Sequence, residues 1–523
     1  MNGVGAGGAN AGASVVADGG AHRSAHAGAH GEASIELTLV SHTNAGKTTL
    51  ARTLLGRDVG EVRDLPHVTD LAEAHTLLAL PGGARLQLWD TPGFGNSAKL
   101  LQRLRLADNP LGWLLREAWD RWRDRPFWCS QQAVRVAREA SDVVLYLVNA
   151  AEDPRDAGYL APEMQVLRWV GKPVLVLLNQ VGPPRPPAEE REDLERWRRH
   201  LEPFGLVADV LALDAFARCW VHEAVLLEAV ARALPPAKQQ ALATLTAEWT
   251  ARSRGRFREA MALLAAQLAI AACDREPLPA ISVSALQKWL QSVGVGREAA
   301  DAARDAAMAA LAARLDRQIV AVTDRLIRLH GLDGTATQSV LERMQTNFAT
   351  PETLGEGRAA LWGSVVTGAL TGLKADIAAG GLTLGAGLLV GGVLGGLAGA
   401  GIARGLNRLS GADEPVVWWS GEFLDALVRS AVLRYLAVAH FGRGRGKWVE
   451  GEAPAWWKAE VATAVERQRP RLQAAWHSAR RDGAAAEPAL AQSLQVALGA
   501  ATAEVLERLY PGRVPAGLID TEG

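Results

Sequence analysis

The sequence predicts two parts of different class: an α/β domain with a mostly parallel sheet and helices on both faces, then a large all-α domain with a glycine-rich apolar hairpin. Three observations predict this. Residues 34–235 alternate short apolar runs with segments long enough for crossover helices. From 236 strand signals nearly vanish, and Ala, Leu, Arg and Glu dominate at helical spacing. The length of 523 residues exceeds what one hydrophobic core serves.

In chain order, residues 1–33 are biased to Gly, Ala and His and lack the charged start and continuous apolar core of a signal peptide. They cannot bury enough apolar area to offset chain entropy, so they read as a disordered tail. His22, His26 and His30 recur every four residues, which leaves a metal-binding tail as the alternative. The predicted strands are "IELTLV" (35–40), "ARLQLWD" (84–90), "SDVVLYLVNA" (141–150), "KPVLVLLNQ" (172–180) and "FGLVADVLAL" (204–213). Residues 75–80 and 84–89, joined by "PGG", predict a hairpin that adds one antiparallel edge. Within the 34–235 domain, 96–140 reads as a helical insertion. Leu115, Trp119 and Trp122 share a helix face there, packed internally or offered to a partner. Residues 236–360 predict a helical domain, with long amphipathic helices over 241–273 and 297–330. A glycine-rich apolar segment occupies 361–411, a further helical region 412–511, and a tail 512–523. Cys129, Cys219 and Cys273 are too scattered for a metal site or disulfide framework, which fits a reducing cytosol. The formal net charge of -1 argues against a generally basic nucleic-acid binder.

The stretch "TLVSHTNAGKTTLART" (38–53) ends a strand and opens a helix. It matches the phosphate-loop pattern G-x-x-x-x-G-K-[ST] except that Ser41 replaces the first Gly. A helix N-terminus presents unpaired N–H groups and a favourable dipole to an anion. The loop assigns Ser41, His42, Thr43, Asn44, Ala45, Gly46, Lys47, Thr48 and Thr49 to nucleotide binding. Lys47 is placed to reach the β- and γ-phosphates, and Thr48 to ligate Mg²⁺. Ser41 costs little if its backbone stays in an allowed region. Downstream, "LWDTPGFG" (88–95) puts Asp90 at a strand end and Gly93 three residues later. Asp90 would hold Mg²⁺ through water, and the Gly93 amide would sense the γ-phosphate. Between them "DLPHVTD" (64–70) offers Thr69 to close over Mg²⁺. Lys47, Thr69 and Gly93 are therefore the candidate catalytic residues. His42 and His67 flank the phosphates and either pack or move protons.

On "SHTNAGKTTL", "PHVTD", "DTPGFG", "LLNQVG" and "LRYLAVAHFGRGRGK" (433–447), the sequence resembles P-loop GTPases of the Era/TrmE type. Within these it is similar to a bacterial family whose N-terminal GTPase domain precedes a helical domain of unknown function. The resemblance implies a switch that hydrolyses GTP to GDP and phosphate. It also implies a base-recognition box N-K-x-D after the fifth strand, where this chain has Asn179, Gln180, Val181 and Gly182. Asn179 and Gln180 are the candidate base contacts. The Asp that would accept from the guanine edge is missing, so guanine preference is weakened and ATP stays open. Phe94 follows D-x-x-G where many relatives place a water-orienting Gln. Asn44 stands where potassium-dependent relatives carry an Asn beside K⁺, though it could equally stabilise the loop. Together these imply slow intrinsic turnover.

The segment 377–403 is 27 residues without a charge and, as a helix, would span about 40 Å. Gly381 and Gly385, Gly387 and Gly391, and Gly395 and Gly399 are four apart, a spacing for close helix approach. With 359–373 it predicts a membrane-dipping hairpin, Arg404 and Arg408 on the cytosolic side, and Trp418 and Trp419 in an interface belt. A soluble bundle using the glycines for close packing is the alternative. The leading expectation is thus a GTP/GDP switch with a membrane-lipid or membrane-protein partner. It would lie in the cytoplasm at the cytoplasmic face of the inner membrane and bind no specific nucleic acid. Alternatives are a nucleotide-binding membrane scaffold with little turnover, or a ribosome- or RNA-associated assembly GTPase.

Overall fold

The computed structural model describes residues 34–43, 45–55, 72–81, 83–104, 120, 123–182, 185–215, 219–277, 297–332, 402–407, 414–440 and 455–515. Six strands make one sheet: β1 (Ser34–Ser41), β2 (Glu73–Ala79), β3 (Arg85–Asp90), β4 (Val143–Asn149), β5 (Val174–Asn179) and β6 (Val207–Ala212). Their order is β2-β3-β1-β4-β5-β6. All neighbours run parallel except the β2–β3 hairpin, which forms the expected antiparallel edge.

The strand sequences explain why both faces are covered. Successive side chains on a strand point to opposite faces, and β4 is apolar on both. Val143, Leu145 and Leu147 join one core; Val144, Tyr146 and Val148 join another. The first core packs α1 (Lys47–Leu55) and α6 (Trp220–Ala233) on the sheet. The second packs α2 (Ser97–Leu104), α3 (Arg125–Glu139), α4 (Leu160–Val170) and α5 (Pro187–Leu201). Both described ends of the predicted insertion are helical, as α2 and α3. Leu115, Trp119 and Trp122 lie outside the described residues.

Beyond the sheet come α7 (Pro236–Cys273), α8 (Arg297–Leu329), α9 (Gly421–Ala439), α10 (Ala455–Arg467), α11 (Arg469–Asp482) and α12 (Glu487–Leu509). Their apolar faces continue the α1/α6 core without a break. Polar ties help to fix the junction. Lys238 Nζ, in the first turn of α7, donates to Ser34 O at 2.8 Å and to both Asp142 oxygens at 2.7 and 2.6 Å. Trp220 Nε1 on α6 donates to Tyr435 OH on α9 at 3.2 Å.

Strand signals nearly vanish beyond 235, and the helical half adds only short strands. A second sheet, order β7-β9-β8, joins β7 (Arg275–Pro277), β8 (Ile402–Asn407) and β9 (Glu414–Trp419), all antiparallel. Arg314 clamps α8 to β7 through Asp274 (2.9 and 3.0 Å) and Glu276 (2.6 Å). At the expected interface belt, Trp419 is buried and stacks on Phe423 with centroids 4.3 Å apart, a core contact, while Trp418 is half-buried. The apolar segment up to 401, with Arg408, lies outside the described residues; Arg404 is on β8. Among the described residues, Arg469–Leu509 is apolar and long enough to cross a membrane, yet 56% of its most apolar window is buried within the fold.

His440 is buried beside Trp457, and His330 is half-buried with its ring against Tyr435. Burial, aided by the charge of Arg256, pushes His330 down to about 3. Burial pushes His440 down to about 4, against the hydrogen bond to Leu436 O. Because the folded values lie below the ordinary 6.5, the unfolded chain binds protons first, and stability falls as pH drops below 6.5. Each histidine should cost about 1.4 kcal/mol per pH unit in that window. Thermal melts at pH 7.5 and 5.5 should show this loss, and the H330Q/H440Q double variant should show a smaller one. Equal pH slopes for both proteins would refute the assignment.

Candidate functional site

The C-terminal ends of β1, β3 and β5 open on one edge of the sheet. There Ser41 passes through the loop into α1, Asp90 leads into Gly93, and Asn179 leads into Gln180. Ser41 is still a strand residue, paired with Leu147. Its φ is not positive; among described non-glycine residues only Gln180 has positive φ, at 59°. The Ser-for-Gly change therefore carries no backbone strain. Its hydroxyl accepts from Lys47 Nζ at 2.8 Å and donates to His42 O.

Gly46 has φ +90°, and a Cβ there would stand 2.6 Å from Asn179 Nδ2. Only glycine fits both demands. Asn179 is fully buried, and both ends of its amide are used: Nδ2 donates to Ala45 O at 2.8 Å, and Oδ1 accepts from Ala215 N at 2.9 Å. Gln180 Nε2 lies 4.0 Å from the same Cβ position. Gly46 O then accepts from Leu50 N at 2.9 Å, which starts α1.

Thr48 Oγ1 donates to Asp90 Oδ2 at 2.7 Å, while Asp90 Oδ1 is buried with no hydrogen-bond partner. A hydroxyl and an orphaned carboxylate oxygen suit a divalent cation. Burial holds the Asp90 carboxyl above its usual range, opposed by the Thr48 hydrogen bond and the Lys47 charge. Burial also lowers Lys47, opposed by Asp90 and Glu163. Gly93 comes so near the loop that a Cβ would meet Thr43 Cα at 3.1 Å and Lys47 Nζ at 3.4 Å. Phe94 N donates to Ser41 O at 3.0 Å, and its ring is buried in the second core, turned from the site. Thr49 is buried behind the loop; its carbonyl accepts from Thr53 Oγ1 at 3.0 Å. Asn44, Thr69 and His67 lie outside the described residues.

Four residues join this site that the sequence reading missed. Glu163 on α4 is fully buried. Its Oε1 accepts from Ser97 Oγ at 2.6 Å and meets His42 Nδ1 at 2.7 Å, and its Oε2 accepts from Tyr146 OH at 2.7 Å. His42 also stacks on Tyr159, centroids 4.4 Å apart. The signal existed: Glu163 sits three residues after Leu160 and four before Leu167, on the apolar face of α4. Ser130 Oγ donates to Gly93 O at 2.9 Å. Ala215 closes the Asn179 clamp, and its carbonyl accepts from Thr53 Oγ1 at 2.8 Å. Asp214 Oδ2 accepts from Val181 N at 2.9 Å. No local pattern marks Ser130, Ala215 or Asp214, because each acts across loops distant in sequence.

A glycine-tight loop at a helix start, a lysine over it and a Thr–Asp pair beside it define a P-loop GTPase domain. Residues 36–180 match the family described as 50S ribosome-binding GTPase. Residues 198–503, more than half of the chain, match the family described as Domain of unknown function (DUF3482), and the chain belongs to that family. No curated protein matches the chain. Among solved structures it is similar to an Era variant from Aquifex aeolicus bound to GDP·AlF4⁻, at 19% identity and TM-score 0.29 over 39% of this chain and 57% of that one. It is likewise similar to Era in complex with MgGDPNP and a 16S ribosomal RNA segment (18%, 0.29, over 39% and 58%). A bacterial selenocysteine-specific elongation factor gives 14% and 0.23 over 34% and 25%. The chain thus spans less than two thirds of the Era structures' own length, and the assignment rests on the family match.

Replacing Glu163 by Gln puts an amide donor against hydroxyl donors in a buried site. E163Q should lose about 1–3 kcal/mol of stability, read in urea unfolding. Unchanged unfolding would show that the contacts of Glu163 carry no net weight.

Proposed function

We propose that the chain hydrolyses GTP to GDP and phosphate and acts as a nucleotide switch whose state is passed to the helical half. The observation that carries this is the convergence of Lys47, Thr48, Asp90 and Gly93 on one point at the start of α1. Thr48 and Asp90, joined by Thr69, would hold Mg²⁺, which when bound neutralises charge on the β- and γ-phosphates. Lys47 binds and orients the phosphates, and the close fit of Gly93 against Thr43 makes the second loop responsive to what lies over the phosphate loop. K⁺ beside Asn44 would supply further positive charge. Phe94, buried away from the site, offers no group to orient water, which supports slow intrinsic turnover.

The same burial favours a second reading, a membrane-linked scaffold that binds nucleotide with little turnover. Membrane contact through 361–411, at the cytoplasmic face of the inner membrane, rests on the apolar glycine pattern of that segment. A ribosome or RNA partner rests on the resemblance to Era/TrmE-type GTPases and on the description of the GTPase family.

K47A should abolish nucleotide binding by calorimetry; retained binding would overturn the site. Phosphate release from GTP and ATP, in K⁺ and in Na⁺, should be slow, strongest with GTP and faster in K⁺. Binding with no turnover in any of these would replace the switch with the scaffold. In fractionated cells the full chain should follow membranes and a chain lacking 361–411 should not. Sedimentation of the full chain with ribosomes instead would favour the assembly-factor reading.

A further inference from the structure

We infer that Ser41, standing where the phosphate-loop pattern has its first glycine, is a positioning residue: its hydroxyl ties Lys47 to a chain of hydrogen bonds that ends at the start of α2. This rests on the nucleotide-site reading above and names what holds the lysine of that site. A glycine has no side chain, so the link exists only because serine replaces it. Ser41 is fully buried and pairs with Leu147 as an ordinary strand residue, without positive φ. What the replacement adds is therefore the hydroxyl and not a new loop conformation.

The chain of bonds runs through three side chains. Lys47 Nζ donates to Ser41 Oγ at 2.8 Å, and the Ser41 hydroxyl directs its own proton to His42 O. A hydroxyl that donates on one side is a better acceptor on the other. His42 is held in turn: its ring stacks on Tyr159, and its Nδ1 lies 2.7 Å from Glu163 Oε1. The same carboxylate oxygen accepts from Ser97 Oγ at 2.6 Å, and Ser97 is the first residue of α2. Among the described residues Lys47 Nζ makes no other hydrogen bond and no ion pair. Asp90 and Glu163 act on it through their charge alone, against burial. The ammonium is thus aimed by a neutral hydroxyl, and a displacement of Ser97 reaches it through Glu163, His42 and Ser41.

The test uses the full chain and calorimetric titration with GDP, each variant being checked for folding by thermal melting. S41A and S41G both remove the hydroxyl and should each bind GDP about tenfold more weakly, the effect of one hydrogen bond to a charged group. S41T keeps the hydroxyl and should stay within about threefold of the unsubstituted chain. S97A cuts the far end of the chain of bonds and should weaken GDP binding by about threefold, a coupling of the size shown by residues in one network. In the S41A background S97A should add nothing, because the path to Lys47 is already cut. Normal GDP binding by S41A and S41G would overturn the inference. So would S41T binding as weakly as S41A, or an equal effect of S97A with and without the Ser41 hydroxyl. Should S41A fail to fold, S41G removes the same hydroxyl with the residue the pattern itself carries, and takes its place in the comparison. Absence of GDP binding by the unsubstituted chain sinks the nucleotide reading itself; GDP binding without these effects sinks the role of Ser41 alone.

Discussion

The amide of Asn179 is the tie on which the geometry of the site depends. It is fully buried, and an unpaired amide there would be costly. Its two ends instead hold Ala45 O and Ala215 N, binding the phosphate loop to the loop after β6 through the end of β5. The approach is so close that Gly46 tolerates no side chain. The left-handed φ of Gln180, the next residue, is the local conformation that accompanies this. Such strain persists only where surrounding contacts over-determine it.

Below the phosphate loop lies a small set of buried charges. Lys47, Asp90 and Glu163 are each expensive to bury and affordable only together. Glu163 does more than neutralise. It joins His42 in the phosphate loop, Ser97 at the start of α2 and Tyr146 in the sheet. A shift of α2 therefore has to break or carry a hydrogen bond shared with the phosphate loop. Ser130 gives α3 a similar hold on Gly93.

The helical half meets the sheet on the other face. The core that begins under α1 and α6 runs through α7, α9 and α12. α6 starts directly after the loop that carries Asp214 and Ala215, and its first residue, Trp220, bonds Tyr435 of α9. The nucleotide loops and the bundle thus share one helix. Packed interiors move as units rather than deforming continuously, so under the proposed switch this shared helix would be the route between the halves.

Much of this was legible in the chain. Continuous apolar runs such as "VVLYLV" determined a sheet buried on both faces, because both alternating sets need cover. Gly-Lys-Thr after a strand determined where an anion would sit, since a helix start leaves its N–H groups open. Long Ala/Leu periodicity determined α7 and α8. What stayed hidden depends on partners remote in sequence. β9 reads as an apolar run, and only its pairing with three residues at 275–277 and six at 402–407 makes it a strand that buries Trp419. Glu163 reads as an ordinary helix carboxylate until Ser97, Tyr146 and His42 close around it. The sequence by itself determined the elements and the place of the phosphate-loop motif, because these follow from local periodicity and short motifs. Only the tertiary structure decided which buried groups satisfy one another, because a hydrogen bond between loops a hundred residues apart leaves no mark on either.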